Sequence, residues 1–331
     1  MIEVLEKLVE GYFVTTLDNL IFEVKGVVHP NDRIIAYVRY VPNIVSAESK
    51  PIFQKIYNLS EREKFLTDNF PEYLWFSETH ERILQSVPHE KVKQILDPVE
   101  HMVQIRKNSS ALSISTSKLV DLLLEYTGID RKDIGVTGSQ LVGVARETSD
   151  IDLVVFGESV CDKFYRKLEH NFDEIPSLER YSGDPLDEHL KFRWGDLVEY
   201  QDTLREIERG KILQGVFEKY HVFIRLVKRR QDITESFGQI VSKKSELKEV
   251  QCLVIDDRES IFTPCVYRVE SSNHPELKQI ISFRGRFTEH VSKGDSVKAK
   301  GRLEYVVDTN TDERYQQLVL GESSEDYMIP K

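Results

Sequence analysis

The sequence predicts an α/β centre within an α+β whole: a mixed sheet with helices in the middle, an α+β domain before it and a small β-barrel after it. Three observations carry this. Residues 133–157 read strand, turn, helix, strand, with apolar runs at Ile134–Thr137 and Ile151–Phe156. Residues 20–41 hold two β-like runs, and helix signals follow them. Beyond residue 250 the chain has only β-like runs separated by turn signals. With 331 residues there is room for two or three domains. The boundaries fall at 1–105, 106–240 and 241–331.

The N-terminal domain opens with a helix-like segment over 2–9. Runs Leu20–Val28 and Arg33–Val41 follow, joined by the turn His29-Pro30-Asn31-Asp32. Ser60-Glu61-Arg62-Glu63 has the order of a capping box and predicts a helix that stops before Pro71. A further helix is expected over His89–Leu96, ending at Asp97-Pro98. In the centre, Leu119, Val120, Leu123 and Leu124 fall on one side of a helix at Ser117–Tyr126, and Gly128 is placed to end it. After the 133–157 stretch come a helix at Ser159–His170, a charge-rich stretch, a helix at Asp196–Arg209 and a strand at Tyr220–Val227. Gln231–Lys248 reads as a polar helical connector. The tail then gives five strands, Val250–Ile255, Cys265–Val269, Gln279–Phe287, Ser296–Val307 and Tyr315–Leu320, in the layout of an OB-type barrel.

Composition narrows the function classes. The 40% hydrophobic and 31% charged shares describe a soluble globular chain, and no apolar run is long enough to span a bilayer. The acidic N-terminal residues do not resemble a secretory signal, so a cytoplasmic protein with no membrane partner is expected. Three cysteines far apart support neither a disulfide framework nor a zinc knuckle. A net charge of −11 argues against a surface built for long duplexes.

The candidate chemistry lies in Asp133–Gly157. Strand side chains alternate faces, so Asp150 and Asp152 project together while Ile151, Leu153 and Val155 line the other side. Two neighbouring carboxylates call for a cation between them or for one to stay protonated, and a hard divalent ion such as Mg²⁺ (or Mn²⁺) prefers oxygen ligands of this kind. Gly138 lets backbone approach a ligand closely, and Ser139 offers a hydroxyl and free N–H groups at a helix start. A triphosphate suits both ends. Two other readings stand beside this one: a connecting turn before an acidic strand, and an RNA-binding Gly-x-x-Gly loop at Gly135–Gly138. The latter lacks positive charge in its middle residues.

Gly138-Ser139, ten intervening residues and then Asp150-Ile151-Asp152 before Leu153-Val154-Val155 resemble the signature of the polymerase-beta-like nucleotidyltransferase superfamily. The whole layout is also similar to archaeal proteins described as predicted nucleotidyltransferases. The resemblance implies an NTP bound at Gly138 and Ser139, and metal ions held by Asp150 and Asp152 for transfer of a nucleotidyl group. The superfamily adds a third carboxylate on a later strand, yet residues 220–227 contain none. Glu218 just before that strand, or Glu199 or Asp196 upstream, are the substitutes. Arg225 sits mid-strand, either as partner of an acid in the sheet or as a guanidinium facing phosphate. Arg284, Arg286, Lys298, Lys300 and Arg302 on the barrel's middle strands would suit RNA or single-stranded nucleic acid as acceptor. The rival reading is a weak or inactive nucleotidyltransferase fold that senses a nucleotide or binds nucleic acid.

Overall fold

A computed structural model describes residues 7–43, 52–195 and 197–331, so most of the helix expected over 2–9 lies outside the described residues. The described chain is a mixed α+β structure with seven α-helices and several sheets. Its first part holds β1 (Phe13–Thr16), β2 (Ile21–Val24), β3 (Arg33–Asn43), β4 (Ile52–Lys55), α1 (Leu59–Asn69), β5 (Leu74–Ser77), β6 (Arg82–Pro88) and β7 (Val92–Leu96). The strands pair in the order β5-β6-β3-β2-β1-β7, and β4 also pairs with β3. Asn58 caps α1 by accepting the N–H of Ser60 at 2.9 Å, so the helix starts earlier than the Ser60 signal. The helix expected over His89–Leu96 is corrected to a turn followed by β7. That segment is drawn into the sheet by antiparallel pairing with β1, with Phe13 opposite Leu96.

The middle part begins with α2 (Pro98–Lys107), where Asp97 caps the first turn by accepting from Val99 and Glu100. Then come α3 (Ala111–Thr127), β8 (Ile134–Val136), α4 (Gly138–Leu141), β9 (Ile151–Phe156), α5 (Glu158–Asn171), β10 (Leu178–Glu179), α6 (Gly183–Trp194), α7 (Gln201–Gly210), β11 (Gln214–Phe217) and β12 (Tyr220–Val227). The order is β10-β11-β12-β9-β8, with β9 and β12 parallel and their neighbours antiparallel. Alternation along β9 decides what covers each face. Leu153 and Val155 pack with Leu119, Leu123, Phe164 and Leu168 of the helices α3 and α5. On the opposite face Val154 and Phe156 pack with Val9 of the N-terminal part. The face that carries Asp152 is therefore the face the N-terminal domain covers.

The last part holds β13 (Ile240–Asp256), β14 (Cys265–Glu270), β15 (Leu277–Ser282), β16 (Ser296–Asp308), β17 (Glu313–Leu320) and β18 (Tyr327–Pro330). The polar helical connector expected up to Lys248 is corrected to strand from Ile240. Its backbone pairs antiparallel with β16 from Ile240 to Leu253, with a register shift between Lys244 and Leu247. Because β13 pairs with both β14 and β16, the order β13-β14-β15-β17-β16 returns on itself, with β15 and β17 parallel. Leu186, Leu190 and Trp194 of α6 and Leu204 of α7 share one core with Val250, Tyr267, Phe287 and Leu318. The helical hairpin α6–α7 thus packs against the strands of the tail. All three cysteines are buried thiols.

Candidate active site

The site begins where β8 ends. Thr137 is extended: its N–H donates to the Asp152 carbonyl at 2.9 Å, and its hydroxyl donates to the Gly11 carbonyl at 2.7 Å. One residue ties the turn to β9 and to the N-terminal domain together. Gly138 then adopts φ +64°, and a Cβ placed on it would stand 2.1 Å from Asp152 Oδ2. No side chain fits there without moving the carboxylate, so glycine is demanded both by φ and by space. The helix that follows is a single turn, α4, closed by the Val144 N–H donating to the Ser139 carbonyl at 3.0 Å. This is shorter than the Gln140–Arg146 helix expected. The Ser139 hydroxyl takes no partner among the described residues and is half-buried.

Asp150 is exposed just before β9, and Asp152 is half-buried as its second residue. Burial first, and the Asp150 charge second, push the Asp152 carboxyl above the usual aspartate range, while the Lys55 and Arg225 cations pull it back. The pair is an oxygen donor set short of positive charge, which fits a hard divalent cation. Among the described residues no group of three or more His, Cys, Asp or Glu stands together as a metal site.

The adjacent strand explains why. In the parallel register Phe223 of β12 lies level with Asp152, and Arg225 with Val154. His221, Phe223 and Arg225 share a face by alternation. A phenyl ring therefore occupies the place beside Asp152 where a third carboxylate could stand. The tail packs onto that ring: a Cβ on Gly285 would be 2.3 Å from Phe223, and the Arg193 guanidinium lies 5.0 Å over its centre.

The substitutes for the third acid are not brought to the pair. Glu218, in the turn before β12, accepts from Lys118 Nζ at 2.7 Å and Ser115 Oγ at 2.6 Å, both on α3. It lies four residues before the first β9–β12 pair, roughly 13 Å along the strand. Glu199 sits in a short turn beside the tail, lining a surface groove with Tyr200 and Lys298, and Asp196 lies outside the described residues. Of the two roles open to Arg225, the structure supplies the acid-partner one, with acids from outside the sheet. Its Nη1 donates to Glu10 Oε2 and Glu23 Oε1, each at 3.1 Å, and Lys25 joins both carboxylates. Buried Glu23 is held well below the usual glutamate range: burial opposes ionisation, and the Lys25, Arg225 and Arg39 charges overcome it. That reading corrects a guanidinium free to face phosphate.

Near the pair, Tyr40 has no local signal, whereas the turn cluster Tyr181–Pro185 reads in the sequence as a border of the cleft. Tyr40 of β3 packs with Phe13, Ile21 and Leu141, which seats α4 on the N-terminal sheet. Tyr181 has its hydroxyl 2.9 Å from His221 Nδ1, and its ring is stacked on His189 at 4.3 Å. Burial, with the Asp150 and Asp152 charges adding to it, pushes the Tyr181 phenol up. These side chains come from strands and loops far from residues 133–157 in sequence, and only tertiary packing assembles them.

Residues 117–208, which hold the glycine turn and the strand that Asp150 and Asp152 open, match the family model for a nucleotidyltransferase domain. The match spans Gly138, Ser139, Asp150 and Asp152, and stops before Glu218 and Arg225. Over 325 residues the chain is 28% identical to the uncharacterized protein MJ1086 of Methanocaldococcus jannaschii, covering 95% of each chain, so the likeness extends through all three parts. No solved structure matches the chain.

Proposed function

We propose that this protein transfers a nucleotidyl group from an NTP to an acceptor with the help of Mg²⁺ or Mn²⁺. The observation that carries the reading is the 2.1 Å approach of a Gly138 Cβ position to Asp152 Oδ2, which fuses the turn and the acid pair into one site. Gly138 and Ser139 would take the triphosphate, since the turn has a side-chain hydroxyl without a partner among the described residues and no Cβ at Gly138 to hold the ligand off. Asp150 and Asp152 would hold the cation, whose chemistry is to neutralise phosphate charge and lower the pKa of an attacking hydroxyl. Thr137 fixes the turn relative to β9 through its bond to the Asp152 carbonyl. The N-terminal domain covers the acid-bearing face, limits water there and strengthens each charge interaction inside.

The phenyl ring at Phe223 supports a second reading: a fold that binds a nucleotide and turns it over slowly, or only senses it. Two carboxylates leave the attacking hydroxyl with one protein oxygen fewer than the superfamily pattern implies.

We read the tail as an OB-like barrel on the strength of its returning strand order and parallel third and fifth strands. A nucleic-acid acceptor is the bolder part of that reading. Lys298, Lys300 and Arg302 are paired with Glu249, Glu325 and Glu322 at 3.0, 2.6 and 3.0 Å, and Arg284 and Arg286 donate to backbone carbonyls. A polyanion would have to displace these acids. The transfer reading is tested by incorporation of α-labelled nucleotide into added RNA, single-stranded DNA or protein. Asp152→Asn should lower the rate roughly a thousandfold or more, and equal incorporation by wild type and variant would refute the assignment.

A further inference from the structure

Strand β4 of the N-terminal domain is paired to β3 with Lys55 opposite Tyr40 and Phe53 opposite Pro42. Its side chains alternate, so Phe53 and Lys55 share the inward face and Ile52 and Gln54 the exposed one. Phe53 packs in the cluster that holds Leu141, Val142 and Val144, the segment just after the glycine turn. The next residue on that face is Lys55. It stands opposite Tyr40, which packs with Leu141 in that same cluster, and like Arg225 it favours the ionised Asp152 carboxyl.

The two cations differ in what else they do. Arg225 is bonded to Glu10 and Glu23. Lys55 has no carboxylate partner among the described residues, and its ammonium rests 4.6 Å over the ring of Tyr57, which is 59% exposed. The Arg39 guanidinium lies over the same ring at 5.5 Å. A half-buried ammonium on the face of β4 that packs beside the segment after the glycine turn, with no carboxylate partner among the described residues, keeps its charge available for an anion. A divalent cation at Asp150 and Asp152 would repel Lys55, so the anion it awaits is not the acid pair itself. The Gly138–Ser139 turn leads directly into the Leu141–Val144 segment that Phe53 packs against, and a polyphosphate chain bound on that turn would bring several negative charges to this side of β4.

We propose that Lys55 of the N-terminal domain, steadied on Tyr57 and backed by Arg39, is a binding residue for the polyphosphate of a nucleoside triphosphate, so that the substrate site is completed across two domains. This rests on the nucleotidyltransferase reading and adds a subsite to it that lies outside the residues matched by the family model. It also gives the N-terminal domain a function: it brings the cation that the middle domain lacks once Arg225 is committed to Glu10 and Glu23.

The test is calorimetric titration of the full-length protein with ATP, GTP and inorganic tripolyphosphate, with and without Mg²⁺. Lys55→Met keeps the length of the stem and removes the charge. It should weaken all three ligands by about 10- to 100-fold, the range of one charge-assisted contact, and Lys55→Arg should restore most of the affinity. Lys55→Gln gives the same reading if Lys55→Met melts early. Wild-type binding of ATP or GTP with unchanged affinity in both neutral variants would overturn the Lys55 subsite and leave the nucleotidyltransferase reading intact. Failure of the wild type to bind ATP, GTP or tripolyphosphate would overturn both.

Discussion

Gly138→Ala isolates the contact on which the site depends. An L-residue at φ +64° costs about 1–2 kcal/mol relative to glycine. The new Cβ would also stand 2.1 Å from Asp152 Oδ2 and 2.8 Å from its Cγ, well inside van der Waals contact. Relieving such overlap by shifting the carboxylate or the turn costs about 1–3 kcal/mol. The sum is roughly 2–5 kcal/mol of stability. The two parts separate in a double-mutant cycle, because Asp152→Ala removes the two overlapping atoms and leaves only Asp152 Cβ at 3.1 Å. Urea unfolding of the four proteins is the assay. Gly138→Ala should cost about 1–2 kcal/mol in the Asp152→Ala background, against the full sum in the wild type. Equal costs in both backgrounds would refute the claim that turn and carboxylate are in contact. Nucleotide transfer gives an independent check, since displacing an acid by about 1 Å lowers rates roughly a hundredfold.

Four further outcomes are expected. Asp152 has its folded-state pKa raised, so its contribution to stability is present below the ordinary aspartate pKa of about 4 and is lost as pH rises through the higher folded value. Asp152→Asn should therefore raise the melting temperature at neutral pH, with the gain vanishing toward pH 4, and a gain that grows on acidification would contradict it. Mg²⁺ should raise the melting temperature of the wild type, as any ligand of the native state does, and should raise that of Asp152→Asn far less. Arg225→Met leaves buried Glu10 with Lys25, and buried Glu23 with Lys25 and Arg39, as the cations remaining among the described residues, and should cost about 3–5 kcal/mol in urea unfolding. Glu218→Gln breaks an exposed contact with Lys118, so stability should change by about 0–1 kcal/mol, and turnover should match the wild type; a large loss of turnover would restore Glu218 as a third acid.

The local motif was readable because its physics is local. Gly138, Ser139, Asp150 and Asp152 lie within one strand-turn-helix-strand unit, and alternation alone put both acids on the face opposite Ile151, Leu153 and Val155. Strand β12 was equally plain, since Tyr220–Val227 alternates between buried and half-buried positions. Segments failed where pairing with distant chain decided the outcome. Val92–Leu96 becomes a strand only through β1, and Ile240–Lys248 only through β16. The role of Arg225 is not legible in the sequence because its acids, Glu10 and Glu23, are some two hundred residues upstream. Lys55 gave no signal for the same reason: nothing around Phe53-Gln54-Lys55 distinguishes it from any charged strand end until β4 is laid against the turn after Gly138.

The most direct test of the central claim is a crystal structure of the full-length protein soaked with a non-hydrolysable NTP and Mn²⁺, using the anomalous signal to locate the metal. An anomalous peak is expected between the Asp150 and Asp152 carboxylates, with the triphosphate on the Gly138–Ser139 turn. A nucleotide bound elsewhere, or Mn²⁺ absent from the acid pair while nucleotide is present, would contradict it.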